Sequence, residues 1–356
     1  MQTATAAAGI DPTRSEIRPY PPSFLDKFMD FIERLRLPYW LTYLLLFLVQ
    51  SSIMFALAWV TGWLPAHGFD PILFLFPLWQ WLPLAFMTYL DKVSIQALAS
   101  FSPLLDIDES GLKRLKYEFS TMPSRGVILS GLLWGAFYLI IAYVYLDAYT
   151  ELFGTGTILT LVAILEGLVA YLTGSAIYYH SVRQLRLVDR TVKMARQFNL
   201  FRLDPVYAFA RLTSLTGISW MVLLTLTLLV FPIQLAMEAT LGLLVLQLAL
   251  AVAAFVLPLW FVHRRLEAGK RNLLAEFSQQ VESTTAKLHR CLDENDLGPV
   301  TQLKDAMLGL SAEQAILNGI PTWPWRGGTL AGFLSVTLLP IILFIIQLGI
   351  ASLLGE

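Results

Sequence analysis

Charge is the scarcest property of this 356-residue chain. Asp, Glu, Lys and Arg make up 14% of it, beside 56% hydrophobic residues and a mean hydropathy of +0.62. An average soluble domain carries about 25% charged residues, so the composition excludes an ordinary soluble enzyme and points to a polytopic membrane protein. Cysteine is almost absent: Cys291 alone excludes an internal disulfide and a cysteine-cluster metal site. The net charge of -1 provides no global basic field for nucleic acid. No HExxH, GxSxG, Walker A or GxGxxG pattern occurs, which removes most motif-bearing enzymology. His289 lacks the following nucleotide-binding pattern that a histidine kinase needs. No repeated or inverted unit is visible, against an inverted-repeat transporter. Residues 1–21 hold no apolar core of a signal peptide, so the first membrane helix is expected to act as its own insertion signal.

What is present is apolar run after apolar run. Residues 1–20 read as a small, polar tail. Ser23 is placed to cap a short amphipathic helix over 24–35. Its expected apolar face is Phe24, Leu25, Phe28, Phe31, Ile32 and Leu35, with Asp26, Lys27, Asp30 and Arg34 opposite, as in a helix lying on a membrane surface. Seven stretches long enough to cross a core of about 30 Å follow, over 39–63, 71–90, 126–146, 155–180, 214–235, 239–262 and 328–354. Six of them contain no charged residue, and the fourth contains one, Glu166.

The few charges are sorted. Residues 1–38, 91–125, 181–213 and 263–327 hold five, five, seven and eight Lys or Arg, all 25 in the chain. The alternate loops 64–70, 147–154 and 236–238 hold none, yet carry Asp70, Asp147, Glu151 and Glu238. The positive-inside rule then puts the N-terminus in the cytoplasm and the C-terminus outside. The fold class expected is all-α, with a tail and interfacial helix over 1–38, a six-helix membrane region over 39–262, a cytoplasmic hairpin over 263–327 and a final membrane helix over 328–356. Helical patterns in 104–121 and 182–198 extend the inner ends of the spans. The sixth span runs on to Leu292 with Leu266, Leu273, Phe277, Val281 and Leu288 on one face, and 300–318 returns with Val300, Leu303, Met307, Leu310 and Leu317 inward.

Each chemically interesting residue has a functional and a structural reading. A carboxylate at bilayer depth costs on the order of 2–3 kcal/mol or more, so Glu166 must face a cavity or a partner. It is either a ligand, proton or ion site or a hydrogen-bonded packing residue. Trp79, Trp134, Tyr138 and Tyr145, with Glu166, could line a pocket for a small apolar ligand, or be ordinary core and interfacial aromatics. Pro321, Trp323 and Pro324 form a stiff aromatic bend before the last span, an interfacial anchor or a gating hinge, and Pro340 permits a kink within that span. Phe344, Gln347 and Leu348 share one helical face, which in a symmetric oligomer would ring a pore and otherwise packs helix on helix. Asp106-Ile107-Asp108-Glu109 resembles a metal-holding DxD, but Asp108 or Ser110 is better placed as a helix cap. No cofactor and no metal is expected.

The order of these segments resembles the insect odorant- and gustatory-receptor channels. They too have seven spans, the N-terminus inside, short outer loops, and inner extensions of spans four to six forming a cytoplasmic anchor. Their split seventh helix is matched by 300–318 and 328–354. Gln347-Leu348 falls at their Gln and its hydrophobic neighbour, while Pro340-Ile341 stands where they carry a Thr-Tyr pair. The resemblance implies a homotetrameric, ligand-gated cation channel of the plasma membrane, with lipid, a small apolar ligand and cations as partners and the seventh helices around the pore. The rival expectations are a secondary transporter coupled through Glu166, a membrane-embedded lipid-modifying enzyme or sensor subunit using Asp106–Glu109, and a structural partner protein.

Overall fold

The computed structural model describes residues 18–147, 150, 158–196, 198–230, 237–294 and 298–354. The expected tail is therefore described only over 18–20. The loop 147–154, Glu151 included, and the turn 293–299 lie in part outside the described residues.

Among the described residues every regular element is helical, and the only β contacts are two isolated bridges, Pro22 to Pro123 and Leu105 to Ala195. In chain order the helices are α1 (Phe24–Arg34), α2 (Tyr39–Val60), α3 (Pro71–Leu75), α4 (Leu78–Phe101), α5 (Glu109–Ser120), α6 (Ser124–Val144), α7 (Ile158–Lys193), α8 (Asp204–Val230), α9 (Met237–Val256), α10 (Trp260–Asp293), α11 (Val300–Gly319) and α12 (Gly327–Leu354). Seven helical segments are long and apolar enough to cross a membrane, so this is a multi-pass membrane protein.

Prolines set the breaks. The stretch expected as one span from residue 71 is interrupted at Pro77, which lacks the N–H that a continuous helix would bond to Leu73. Asp70 caps the short first piece by accepting from the Leu73 N–H at 2.8 Å. Pro258 likewise separates α9 from α10 through a single tight turn, Leu257–Leu259.

The spans pack by close backbone approach rather than by hydrophobic drive, since lipid is as apolar as leucine. On α6, Gly131 and Gly135 lie against Leu172 of α7. On α7, Gly167 lies beneath the Tyr138 ring, where a methyl group would collide with the hydroxyl. The most buried span is α8, with 67% of its apolar window inside the protein; α12 is the least, at 22%.

All four basic segments meet at one end. Arg183 of α7 donates to the carbonyls of Glu118 and Thr121 and to the Tyr20 hydroxyl. Arg196 pairs with Asp106, Arg265 donates to Ala195 O at 2.9 Å, and Arg326 pairs with Asp204. Beneath these contacts is a shared apolar core in which Leu98, Phe101, Phe119, Val188, Phe209 and Leu266 are fully buried. The extensions of α4, α7, α8 and α10 thus build an apolar core at the end where the basic segments meet.

One expectation is corrected in detail. The buried stripe of α1 is Leu25, Met29 and Ile32 with Asp26, whereas Phe24 and Phe31 are more than half exposed. Asp26 turns inward because its carboxylate takes the N–H of Ser23 at 2.7 Å and that of Met122 at 3.0 Å, closing a capping box and tying α1 to the start of α6. The α10–α11 hairpin packs as expected through Leu273, Phe277, Leu310 and Leu317, yet leaves Leu292, Leu308 and Ile316 exposed.

Candidate functional site

Two polar clusters interrupt the apolar interior. The first sits at mid-span where α2, α4 and α7 meet. Glu166 of α7 is 8% exposed. It accepts from Gln50 Nε2 of α2 at 2.7 Å, and the same amide nitrogen lies 3.2 Å from Gln80 Oε1 of α4. The Gln50 carbonyl in turn accepts from the Trp81 indole at 2.6 Å. Gln50 is the hub: its amide can donate and accept at once, so it links a carboxylate to an indole with no basic residue. Glu166 was legible as an interruption in an apolar run. Gln50 was not, because an uncharged amide in a span gives no comparable signal, whereas Gln80 and Trp81 stood out beside Trp79 as polar-tipped residues of the second span.

The second cluster lies at the basic end, between α4 and α7. Asp91 Oδ1 is 2.6 Å from His180 Nε2 and 2.7 Å from Gln184 Nε2. Gln184 Nε2 also bonds Phe119 O at 2.8 Å. His180 and Gln184 are completely buried, one turn apart on α7. An ionised carboxylate only accepts, so this contact assigns the Nε2–H tautomer to His180. His180 Nδ1 and Gln184 Oε1 are buried without partners. Sequence reasoning missed this cluster because Asp91 stands just past a span end, where a carboxylate is unremarkable. The available signal was the pair His180 and Gln184 at helical spacing on one face.

Asp91 also forms part of the wall of a cavity of about 700 Å³ between α1, α4 and α5. Its rim carries Arg18, Lys27, Arg34 and Lys92, with Asp30 and Glu33 among them. Glu33 is engaged with Lys92 at 3.0 Å. Its buried wall includes Asp26, 4% exposed, and Thr88, 2% exposed.

The residues singled out for ligand binding go to different places. Trp79 packs beside the core shared by α1, α2 and α4. Trp134 stacks on Tyr178 at 5.9 Å, and Tyr178 meets Trp220 at 5.5 Å. Tyr138 is buried against Tyr171 at 4.7 Å and reaches the backbone beside Glu166 through Gly167. Tyr145 is exposed at the end of α6.

The bend before α12 is clamped rather than loose. Trp323 stacks on His263 at 3.8 Å and on Trp325 at 4.5 Å, and Trp325 continues to Phe255 at 4.9 Å. Lys270 Nζ holds the carbonyls of Asn318 and Ile320, each at 2.8 Å, just before Pro321. Pro324 and Pro340 are buried, the latter inside a continuous α12. On α12, Phe344 is 8% exposed and packs into the core shared with α8 and α9. Gln347 Nε2 donates to Leu228 O of α8 at 2.7 Å. Leu348 is on the exposed side. In this chain Phe344 and Gln347 therefore make the helix-to-helix contacts of the packing alternative. The open face of α12 is mostly apolar, with Leu334, Leu338, Ile342 and Ile345 about half exposed and Ser335 bonded back to Ala331 O.

Asp108 caps α5 by accepting from the Gly111 N–H at 2.9 Å, and Asp106 is paired with Arg196. The acidic loop thus serves local structure, and among the described residues no group of three or more His, Cys, Asp or Glu is placed to hold a metal. The hydrogen bonds from Ser110 and the Gly111 backbone hold the Asp108 carboxyl below the usual aspartate range.

No family model, curated protein or solved structure matches this chain.

Proposed function

We propose that the protein is an oligomeric, ligand-gated cation channel of the cell membrane, N-terminus inside and C-terminus outside, with α12 beside the conducting path. The observation that carries this reading is the mounting of α12. It is charge-free, held along one side by α8 and α9, and open along the other. Its inner end is fastened through the Trp323–His263 stack to α10, and through the bend to α11. A helix held on one side and gripped at one end moves when its handle moves. The handle is the α10–α11 hairpin, whose exposed Leu308 and Ile316 fit contact with neighbouring copies.

On this reading the protomer is in a closed state. Copies of α12 around an axis would present Leu338, Ile342 and Ile345, a constriction that closes by dewetting. Opening rotates α12, breaks the Gln347–Leu228 bond and brings the amide toward the axis. The test is cation flux through the purified protein in liposomes, with a panel of small amphiphilic compounds. Ile342→Ser or Ile345→Ser is expected to raise basal flux at least tenfold, and Gln347→Leu to reduce ligand-evoked flux. Absence of passive flux in the parent and in both serine variants would sink the channel reading.

A second reading is favoured by the mid-membrane carboxylate. Glu166 is bonded by a neutral amide, and among the described residues no basic side chain pairs with it. Such a group can carry a proton, which suits a proton-coupled transporter. Gradient-driven uptake abolished by Glu166→Gln, in a protein without passive flux, decides for that alternative.

A further inference from the structure

The cavity beneath α1 is polarised in depth. Its buried wall is acidic: Asp26 is 4% exposed, and Asp91 is held by two fully buried side chains. Its bases, Arg18, Lys27, Arg34 and Lys92, are on the exposed rim. Lys92 is engaged with Glu33 at 3.0 Å and lies over the Tyr39 ring at 4.1 Å. That leaves Arg18, Lys27 and Arg34 against one rim acid, Asp30.

A second observation points to a ligand. Asp26 Oδ1 is buried and has no hydrogen-bond partner, although Oδ2 takes two backbone N–H groups. An unpartnered buried carboxylate oxygen is costly, on the order of 1–3 kcal/mol or more. The capping box needs only Oδ2. When the carboxyl is ionised, the missing partner of Oδ1 is a hydrogen-bond donor, and Asp26 lines the cavity.

The charge pattern selects among donors. A simple anion would meet two carboxylates at the buried wall. A bare cation would have to pass a rim with excess positive charge. A metal ion would find two carboxylates and no third ligand of the usual kinds among the described residues. A zwitterion with a leading ammonium and a trailing anion suits both ends. The volume of about 700 Å³ falls in the ordinary range for small-molecule sites, roughly 300–1,000 Å³.

We propose that this cavity binds an aminoalkyl phosphate, its primary ammonium against Asp26 and Asp91 and its phosphate against Lys27, Arg34 and Arg18. The phosphate group recognises Arg and Lys by charge-assisted hydrogen bonds. The primary ammonium brings three N–H donors to carboxylates that accept. A quaternary ammonium brings none, so the site discriminates ethanolamine-type from choline-type groups. The same chemistry is available from a free aminoalkyl phosphate and from a phosphatidylethanolamine headgroup. The exposed Phe24, Phe31 and Leu35 on α1 fit a helix resting on lipid beside the cavity. The site is separate from the α12 path and does not depend on conduction.

The test is thermal unfolding of the purified full-length protein in detergent, titrated with O-phosphoethanolamine, O-phosphocholine and inorganic phosphate. A saturable rise in Tm with O-phosphoethanolamine is expected, with at least tenfold weaker response to phosphocholine and none to phosphate. Liposomes of phosphatidylethanolamine against phosphatidylcholine form the second arm. A response confined to liposomes identifies the lipid as the source, and a response to the soluble compound identifies the free molecule. Asp26→Asn keeps an oxygen for the capping N–H groups and is expected to weaken binding at least tenfold at nearly unchanged unliganded Tm. Lys27→Ala and Arg34→Ala are exposed changes that leave the fold alone and are expected to weaken binding several-fold each. The proposal fails if neither arm responds, if phosphate alone gives the same rise, or if folded Asp26→Asn binds as the parent does.

Discussion

Glu166, buried, and Asp91, partly buried, are two carboxylates on the same bundle, held in different ways. Glu166 lies at mid-span and is held by a glutamine amide that is itself shared with Gln80 and Trp81. Asp91 lies at the basic end and is gripped by His180 and Gln184 on one oxygen. The first arrangement is neutral around the acid and gives it little reason to stay charged. The second places an imidazole donor at 2.6 Å and a charged rim nearby. The two acids thus differ in their partners: one shares a single neutral amide, the other is clasped through one oxygen by an imidazole and an amide.

The contrast is broken most severely by Asp91→Ala. It leaves His180 Nε2 without its acceptor and removes a bond from Gln184, both at zero exposure. Removing one member of a buried charge-assisted pair costs about 3–5 kcal/mol, so thermal unfolding in detergent is expected to shift down by many degrees. Asp91→Asn retains an acceptor oxygen and is expected to recover more than half of the loss. Equal loss in both variants would mean that charge, not the hydrogen-bond geometry, holds the site.

Glu166→Ala is the matching change at mid-span, with a smaller expected effect. It strands the Gln50 amide, which still has Gln80 within reach at 3.2 Å. A cost of about 1–2 kcal/mol follows from one buried polar group losing its better partner. Glu166→Gln is expected to be within about 1 kcal/mol of the parent, since the amide oxygen replaces the carboxylate oxygen as acceptor. A Glu166→Gln variant as unstable as Glu166→Ala would show that the carboxylate is ionised at rest.

How far this architecture could be read from the residues follows the same division. The seven spans, the sorted charges, the α1 cap at Ser23 and the α5 cap at Asp108 were legible because each is a local or periodic pattern. The extension of α4 past Leu90 to Phe101 was not, since Asp91, Lys92 and Gln96 look like a loop entry when only hydropathy is read. Nor was the inward turn of Asp26, because its partner, the Met122 N–H, is 96 residues away. Glu166 announced itself, while Gln50, His180 and Gln184 took their meaning only from neighbours on other helices. The aromatics illustrate the converse. Trp134, Tyr138 and Tyr145 share one helix in sequence, yet the fold sends them to a stack, a glycine cleft and an exposed helix end.

Gln347 extends the comparison to a neutral polar group. Its amide donates to Leu228 O at 2.7 Å, and its Oε1 is buried without a partner. Interhelical hydrogen bonds in membranes average about 0.6 kcal/mol, so Gln347→Leu is expected to change unfolding by no more than about 1 kcal/mol in either direction. A loss beyond about 2 kcal/mol would mark this contact as a principal clamp between α8 and α12.

The smallest expected effect belongs to Asp26, which lies outside the spans and joins the two cases. Burial lifts its carboxyl above the usual aspartate range, outweighing the hydrogen bonds from Ser23 and Met122 that favour the anion. The folded state therefore holds its proton more tightly than the unfolded chain does. Its contribution to stability is fully present below the unfolded value, near 3.8, and is lost as pH rises through the higher folded value. Between those two points stability attributable to this group falls with rising pH, opposite to a carboxylate held by a basic partner. Asp26→Asn removes the titration, so the variant should gain stability relative to the parent as pH is raised from about 4 to neutrality. Unfolding of both proteins across that range in detergent checks the sign. A parent that gains on the variant with rising pH would show Asp26 already paired with a cation inside the cavity, as a bound ammonium would do.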